Sequence, residues 1–332
     1  MKVSVLGAGS WGIALSGHLH RAGHQVLLWA RDPAKAARLQ SEREEKALLP
    51  GVRLPDGIEV VGDLESALRG REAIIFVVPS HGMREVATKA APWISSGQSL
   101  VCATKGLEEG TDERMSTVLK KYIKNAGSIT VLSGPSHAEE VSRGLPTTVL
   151  AANEDLEEAK RVQGMFHWEQ FRVYTSADRL GVELAGALKN VIAIAAGISD
   201  GLGLGDNSKA AIMTRGLHEM TRLGLAMGAQ APTFAGLAGM GDLIVTCTSR
   251  YSRNRALGER LGKGIGVEKA LADMVMVAEG VRTARAACHL ANQWKVEMPI
   301  TGEVEQVLFK GKAAKEAARS LMSRSAKNEQ EF

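Results

Sequence analysis

Gly7-Ala8-Gly9-Ser10-Trp11-Gly12 follows directly on the apolar run Met1 to Leu6 and opens directly onto an apolar pattern of helical period. That placement decides the fold. Glycines at this spacing between a strand and a helix allow a tight turn, let backbone N–H groups reach a pyrophosphate, and let the helix pack closely on the strand. The helix N-terminus then favours the bound negative charge. The same glycines could serve only a sharp strand-to-helix turn. The strand before them and the helix after them favour the dinucleotide reading.

Outward from this turn, the first half alternates short apolar runs with amphipathic segments, the order of a parallel sheet with crossover helices. Strands are expected over Lys2 to Leu6, Gln25 to Trp29, Ala73 to Val78, Ser99 to Ala103, Ser128 to Leu132 and Thr147 to Ala151, with a last one over Phe171 to Tyr174. Their ends meet polar or glycine-rich turns such as Lys105-Gly106 and Gly134-Pro135-Ser136. In an open parallel sheet those carboxyl ends line the ligand crevice, so Lys105 and Ser136 are expected to meet around one cofactor. After Ser176 long helical periodicity takes over, in Leu180 to Ile198, Ser208 to Met227, Ser252 to Leu261 and Val281 to Trp294. The predicted fold is α/β. A mainly parallel sheet domain over residues 1–176 precedes an all-helical domain over residues 177–332, with a polar tail fraying beyond Ser323.

A chain of 332 residues suits two domains. Its 45% hydrophobic and 23% charged residues are ordinary for a globular protein. The net charge of +4, from 41 basic and 37 acidic residues, is too small to imply a nucleic-acid partner. Cys102, Cys247 and Cys288 are odd in number and far apart, which argues against a disulfide framework and against zinc. No metal is expected, since none of the eight histidines forms an H-E-x-x-H pair. Unpaired cysteines suit a reducing cytoplasm. Glycines interrupt any secretory signal at the N-terminus, and Lys189 and Asn190 break the apolar stretch Leu184 to Ile198. A soluble protein without stable membrane insertion is the expectation.

Lys189 stands out because it lies with Asn190 in a stretch that is otherwise small and apolar. Gly186, one turn before, removes side-chain bulk where a ligand or a neighbouring backbone could approach. Partial burial lowers a lysine's pKa and suits it to proton exchange with a substrate oxygen; the alternative is a lysine that snorkels to the surface. Further on, Asp242 and Thr246 would share a helix face at i, i+4. Ser252 can cap a helix whose first turn holds Arg253 and Asn254, an arrangement that suits a phosphate monoester or, equally, a solvated basic loop. Ser136 and Glu139 have the spacing of a capping box. About 20 residues beyond the glycine turn, where a dinucleotide's ribose is read, stand Arg31 and Asp32. Arg31 leans the preference towards NADPH, while Asp32 before Pro33 can simply begin the next turn or cap its helix.

The strings GAGSWG at 7–12, ATKG at 103–106, SGPSHAEE at 133–140, ALKNV at 187–191, GLGLGDNSKAAIMTRGL at 201–217 and GMGDLIVTCTSRYSRNR at 239–255 together resemble the NAD(P)-dependent glycerol-3-phosphate dehydrogenases, the bacterial biosynthetic form closely. The resemblance implies a Rossmann-type domain followed by a helical substrate domain. It also implies a homodimer that interconverts dihydroxyacetone phosphate and sn-glycerol 3-phosphate with NADP or NAD and supplies phospholipid synthesis. On matching positions, Lys189 would be the proton donor and acceptor, with Lys105, Asp242 and Thr246 organising it. Gly134, Ser136, Asn190, Ser252, Arg253 and Asn254 would complete the shell around a small phosphorylated three-carbon substrate. Gly7, Gly9, Ser10, Trp11, Gly12, Arg31, Lys105, Ala138, Arg253, Val277 and Glu279 would hold the cofactor. The family varies at Arg31, which leaves NAD against NADP open. The Lys189-Asn190 pair and the Ser252-Arg253-Asn254 string speak against another two-domain hydroxyacid dehydrogenase. A non-catalytic NAD(P)H sensor would have no need of Lys189, Asp242 and Arg253 together.

Overall fold

Runs of β-branched and aliphatic residues such as Ala73–Phe76 are buried on both faces, which is the mark of an interior parallel strand. The computed structural model describes residues 1–274, 276–326 and 328–329. The tail past Ser323, where fraying is expected, lies partly outside them. Eight strands, β1 (Lys2–Leu6), β2 (Gln25–Trp29), β3 (Glu59–Val61), β4 (Ala73–Phe76), β5 (Ser99–Cys102), β6 (Ile129–Ser133), β7 (Thr147–Ala152) and β8 (Phe171–Ser176), form one sheet in the order β3-β2-β1-β4-β5-β6-β7-β8. Neighbours are parallel except β6 and β7. The expected strands are present, and the sequence pattern missed β3, whose three residues are too few to show a period.

Helices α1 (Ser10–Arg21), α2 (Pro33–Glu42), α3 (Leu64–Leu68), α4 (Met83–Ala90), α5 (Met115–Tyr122), α6 (Ala138–Ser142) and α7 (Leu156–Phe166) alternate with these strands. After β8 come α8 (Arg179–Leu202), α9 (Gly205–Ala226), α10 (Ala231–Ala235), α11 (Asp242–Thr248), α12 (Arg253–Gly262), α13 (Val267–Ala272), α14 (Glu279–Trp294), α15 (Pro299–Phe309) and α16 (Ala314–Met322). The chain divides into two compact units, Met1–Glu108 with Glu113–Glu183, and Glu109–Asp112 with Leu184–Phe332. The division therefore falls inside α8, past the predicted boundary at Ser176. Glu183 explains the shift: its buried carboxylate accepts from Ser116 N (2.9 Å), Ser116 Oγ (2.5 Å) and Arg114 Nη1 (2.8 Å), capping α5 from a distance.

By length and composition α8 could cross a bilayer, yet its most apolar window is 100% buried inside the protein. One of its neighbours is α12, and glycines set the spacing. A Cβ added at Gly197 would lie 2.0 Å from Arg255 O, and one at Gly201 2.2 Å from Glu259 O. From the other side, a Cβ at Gly258 would lie 2.0 Å from Ile194 O, and one at Gly262 2.4 Å from Ile198 O. The paired positions advance together along both helices, so α8 and α12 run parallel in backbone contact.

Two buried titratable groups lie away from these elements. In the first unit His18 packs 4.2 Å from the Phe171 ring and donates from Nε2 to Phe166 O at 2.7 Å. Burial holds its imidazole down at about 4. In the second unit Glu219 on α9 accepts from Ile300 N (2.6 Å), Thr301 N (3.1 Å) and Thr301 Oγ1 (2.9 Å), closing the first turn of α15. Burial pushes its carboxyl up to about 7 against the pull of those donors. All three cysteines are free, and burial pushes the Cys247 thiol up to about 12 and Cys288 up to about 11, which keeps thiolate scarce.

These two groups act on stability in opposite senses. Folded His18 stays neutral, so its contribution is fully present above the ordinary value of 6.5 and is lost as pH falls through about 4. Folded Glu219 keeps its proton longer than the unfolded chain does. Its contribution is fully present below 4.5 and is lost as pH rises through about 7. On acidification from about pH 7 to about pH 4.5, His18→Gln should gain stability relative to the parent and Glu219→Gln should lose it. Urea midpoints at both pH values check this, and identical pH trends for all three proteins would refute it.

Candidate active site

The first three glycines of the chain's opening turn each meet a different local demand. Gly7 has φ +127, and a Cβ there would sit 2.8 Å from Val77 O; its N–H is held by Trp29 O at 3.0 Å. Gly9 caps α1 without a side-chain acceptor, and a Cβ built on it meets nothing within 4 Å. Gly12 presses on the turn, since a Cβ there would lie 1.8 Å from Gly7 O. Space over Gly9, with no acidic residue in the first turn of α1, is what a pyrophosphate approaching a helix N-terminus requires. Ser10 is buried at the start of α1, and Trp11 is half-buried against the apolar core of this unit. The turn sits between β1 and α1, where strand order reverses from β2 on one side of β1 to β4 on the other.

Lys105 and Ser136 do meet. Lys105 Nζ donates to Gly134 O at 2.9 Å and Ser136 Oγ donates to the same oxygen at 2.8 Å, beyond the ends of β5 and β6. The capping-box reading of Ser136 and Glu139 is therefore corrected. α6 starts at Ala138 behind His137 and carries no side-chain cap, because the Ser136 hydroxyl is drawn back to Gly134. At the end of β2, Asp32 accepts from Ala34 N at 3.0 Å as the N-cap of α2. Arg31 reaches out instead, 65% exposed and 3.8 Å from Glu85.

In the second unit Lys189 does not snorkel. Its ammonium is buried, donating to Asp242 Oδ1 at 2.7 Å and to Thr246 Oγ1 at 2.5 Å. Thr246 in turn donates to Asp242 O at 2.6 Å, one helical turn back. Asp242 opens α11 directly after a π-helical turn over Leu237–Gly241, in which Gly241 N bonds to Gly236 O at 3.1 Å. Such turns are rare and recur at functional sites. A Cβ at Gly239 would lie 2.0 Å from Phe234 O, so the tight turn needs glycine there. Taking a lysine and an aspartate out of water is expensive, and such pairs often contribute less to stability than apolar residues would. A buried pair on an otherwise apolar helix is better explained by chemistry.

Ser252 caps α12 by accepting from Arg255 N at 3.2 Å, as the spacing predicts. The first turn of α12 holds no acid, and Arg253 Nη1 approaches Val277 O at 3.4 Å, two residues before α14 begins at Glu279. Asn190 and Asn254 bond to each other. Asn254 Nδ2 donates to Asn190 Oδ1 at 2.9 Å, Asn190 Nδ2 donates to Gly186 O at 3.3 Å, and Gly280 N donates to Asn254 Oδ1 at 3.0 Å. This relay joins α8, α12 and the start of α14, a structural role that sequence reasoning missed; the signal available was two asparagines in otherwise helical pattern. Also missed was the pairing of Arg255 with Asp200 (2.5 Å). Among the described residues no group of three or more His, Cys, Asp or Glu side chains could hold a metal.

A glycine turn at the switch point of a parallel sheet and a buried lysine held by a carboxylate and a hydroxyl define a nicotinamide-dependent dehydrogenase. Comparisons with known proteins narrow the class. Residues 2–159 match the family model for the NAD-dependent glycerol-3-phosphate dehydrogenase N-terminus, and residues 178–319 match that for its C-terminus. The chain is 51% identical over 335 aligned residues, 99% of its length and 95% of the relative's, to glycerol-3-phosphate dehydrogenase [NAD(P)+] of Pelotomaculum thermopropionicum. Over 99% of its length and 98% of the relative's it is 50% identical to the protein of that name from Geobacter metallireducens. Its fold matches the crystal structure of glycerol-3-phosphate dehydrogenase from Coxiella burnetii with a TM-score of 0.93 and 38% identity, covering 97% of this chain and 99% of that one. The chain belongs to the NAD-dependent glycerol-3-phosphate dehydrogenase family.

The glycine geometry separates cofactor binding from folding. Gly9→Ala should leave the thermal midpoint unchanged and weaken NAD(P)H binding about tenfold, because its methyl group fills the space left for the pyrophosphate. Gly12→Ala should lower the midpoint as well, since its Cβ collides with backbone. Fluorescence titration of NADH and NADPH beside thermal melts distinguishes the two.

Proposed function

We propose that this protein interconverts dihydroxyacetone phosphate and sn-glycerol 3-phosphate, using NAD(P)H with a preference for NADPH. The observation that carries the reading is the Lys189 ammonium, buried and held between Asp242 and Thr246. When bound, the reduced nicotinamide supplies the hydride that the ketone carbon accepts. Lys189 stabilises the charge growing on the ketone oxygen and passes its proton to it; in the reverse direction it receives the proton from the hydroxyl. Asp242 keeps the ammonium aimed, and its charge offsets the desolvation of the lysine. Ser252 and Arg253 at the N-terminus of α12 hold the phosphate, joined by Asn254 when its amide exchanges one of its present bonds, and side-chain charge and helix dipole act there in the same sense. Remote phosphate binding keeps the carbonyl in register with the lysine.

Within the first unit, Lys105, Gly134 and Ser136 are the candidates for substrate contact, and Ser10, Trp11 and Ala138 for cofactor contact. Within the second unit, Arg253, Val277 and Glu279 are the candidates for cofactor contact. The NADPH preference is supported by the division of labour after β2. Asp32 is occupied as a helix cap, and Arg31 presents its guanidinium outward, suited to a 2′-phosphate. A cytoplasmic homodimer that feeds phospholipid synthesis is the cellular setting this reading favours, and exposed Leu225, Met240 and Ile244 offer apolar surface for association.

Oxidation of NADPH and NADH followed spectrophotometrically with dihydroxyacetone phosphate tests the reading directly. Turnover with both, faster at low NADPH, is expected; none with either would overturn it. Arg31→Ala should remove most of the NADPH preference while leaving kcat with NADH within about twofold. Lys189→Ala should cut turnover by about 10²-fold or more. It also strands Asp242 in the interior at about 3–5 kcal/mol. The double variant Lys189→Met with Asp242→Asn removes both charges at similar volume, so a folded, cofactor-binding but inactive double variant isolates the chemistry. Near-normal turnover in either would sink the lysine's assignment.

A further inference from the structure

Lys189 lies on α8, and the residues assigned to the phosphate lie at the N-terminus of α12, so the distance between proton transfer and phosphate binding is set by how far α12 is displaced along α8. The backbone contact between these helices settles their separation. It also confines their displacement coarsely, since only glycine fits at four points along the contact, but with no side chains interlocking as ridges into grooves finer shifts stay open. Polar side chains therefore pin the fine register. Near Lys189 the Asn190–Asn254 pair does so.

A second pin lies near the end of α8. Asp200 is three turns below Lys189 on the same face of the helix, since 11 residues come close to a whole number of turns at about 3.6 per turn. Its Oδ2 accepts from Arg255 Nη1 at 2.5 Å, and its Oδ1 pairs with Lys209 Nζ of α9, also at 2.5 Å. Arg255 is held further by Glu259 Oε2 at 3.3 Å and donates from Nε to Ser249 O at 3.2 Å. Ser249 is the residue at which the chain leaves α11, so this single guanidinium grips the segment leading into Ser252, Arg253 and Asn254 from below. Asp200, Arg255 and Lys209 are each about four-fifths buried, which makes these pairs stronger than solvent-exposed ones.

We propose that Asp200, acting through Arg255, is a positioning residue that sets the height of the phosphate-binding turn of α12 relative to Lys189. The inference rests on the function proposed above. It assigns to Asp200 and Arg255 no contact with substrate, only control over where Arg253 and Asn254 stand. Loss of the pin lets that turn shift, and misplacement of the order of 1 Å weakens the productive complex by one to two orders of magnitude.

Asp200→Asn preserves shape and removes the charge. We expect its KM for dihydroxyacetone phosphate to rise about tenfold, with KM for NADPH within about twofold and a smaller change in kcat. Arg255→Lys should lie between parent and Asp200→Asn, because one ammonium cannot replace a fork that reaches Asp200 and Ser249 together. A fall in thermal midpoint with KM for dihydroxyacetone phosphate unchanged in both variants would overturn the proposal, as would an equal rise in both Michaelis constants. Inorganic phosphate gives a measure that needs no turnover: it should raise the midpoint of the parent more than that of Asp200→Asn. If the parent failed to reduce dihydroxyacetone phosphate, the proposed reaction would fall, while equal phosphate stabilisation of the two proteins would overturn the role of Asp200 by itself.

Discussion

Backbone contact between α8 and α12 is the constraint on which the second unit is built. Four glycines, Gly197, Gly201, Gly258 and Gly262, each face a carbonyl oxygen of the opposite helix so closely that no side chain fits. Glycine in a helix interior costs about 1 kcal/mol relative to alanine. The close approach they permit brings Asn190 to Asn254 and Asp200 to Arg255, hydrogen bonds that longer separation would break. The relay then continues from Asn254 to Gly280 N, so the start of α14 is tied to the same pair of helices.

Within that frame the buried pair of Lys189 and Asp242 shows what the π-helical turn accomplishes. The π-helical turn over Leu237–Gly241 leads straight into α11, so that Asp242 stands in its first turn. The i, i+4 spacing then places Thr246 on the same side, and both meet Lys189. A charged pair of this kind is a weak source of stability. Its presence beside a π-helical turn and a tightly packed glycine at 239 agrees with the proton-transfer role proposed for Lys189.

Most of the sheet is legible in the sequence because interior parallel strands are continuous apolar runs, and the glycine turn because its spacing is a local property of the chain. The convergence of Lys105 and Ser136 comes from the rule that strand ends line a crevice. β3 escapes because three residues carry no period, and the antiparallel β7 because direction is set by the connection and not by composition. Helix caps can be read only among sequence neighbours. That suffices for Asp32 and Ser252, and it fails for Ser136, whose hydroxyl turns back to Gly134, and for α5 and α15, which are capped by Glu183 and Glu219 from other helices. Such partners lie 67 and 81 residues away in the chain.

The same distance in sequence explains why the bond between the two asparagines is not legible in the chain. Asn190 beside a lysine and Asn254 beside an arginine have the look of polar groups awaiting a substrate. In the fold the amide of each is engaged by the other, and Asn254 also accepts from a helix N-terminus. A buried amide with both ends engaged is rigid, and rigidity is what neighbouring Lys189 and Arg253 need if a small substrate is to be held by its phosphate and attacked at its carbonyl. Contact with substrate by Asn254 would then require its amide to exchange one of these bonds for a phosphate oxygen. Substrate binding at α12 and the placement of Glu279 at the start of α14 would be coupled through that single side chain.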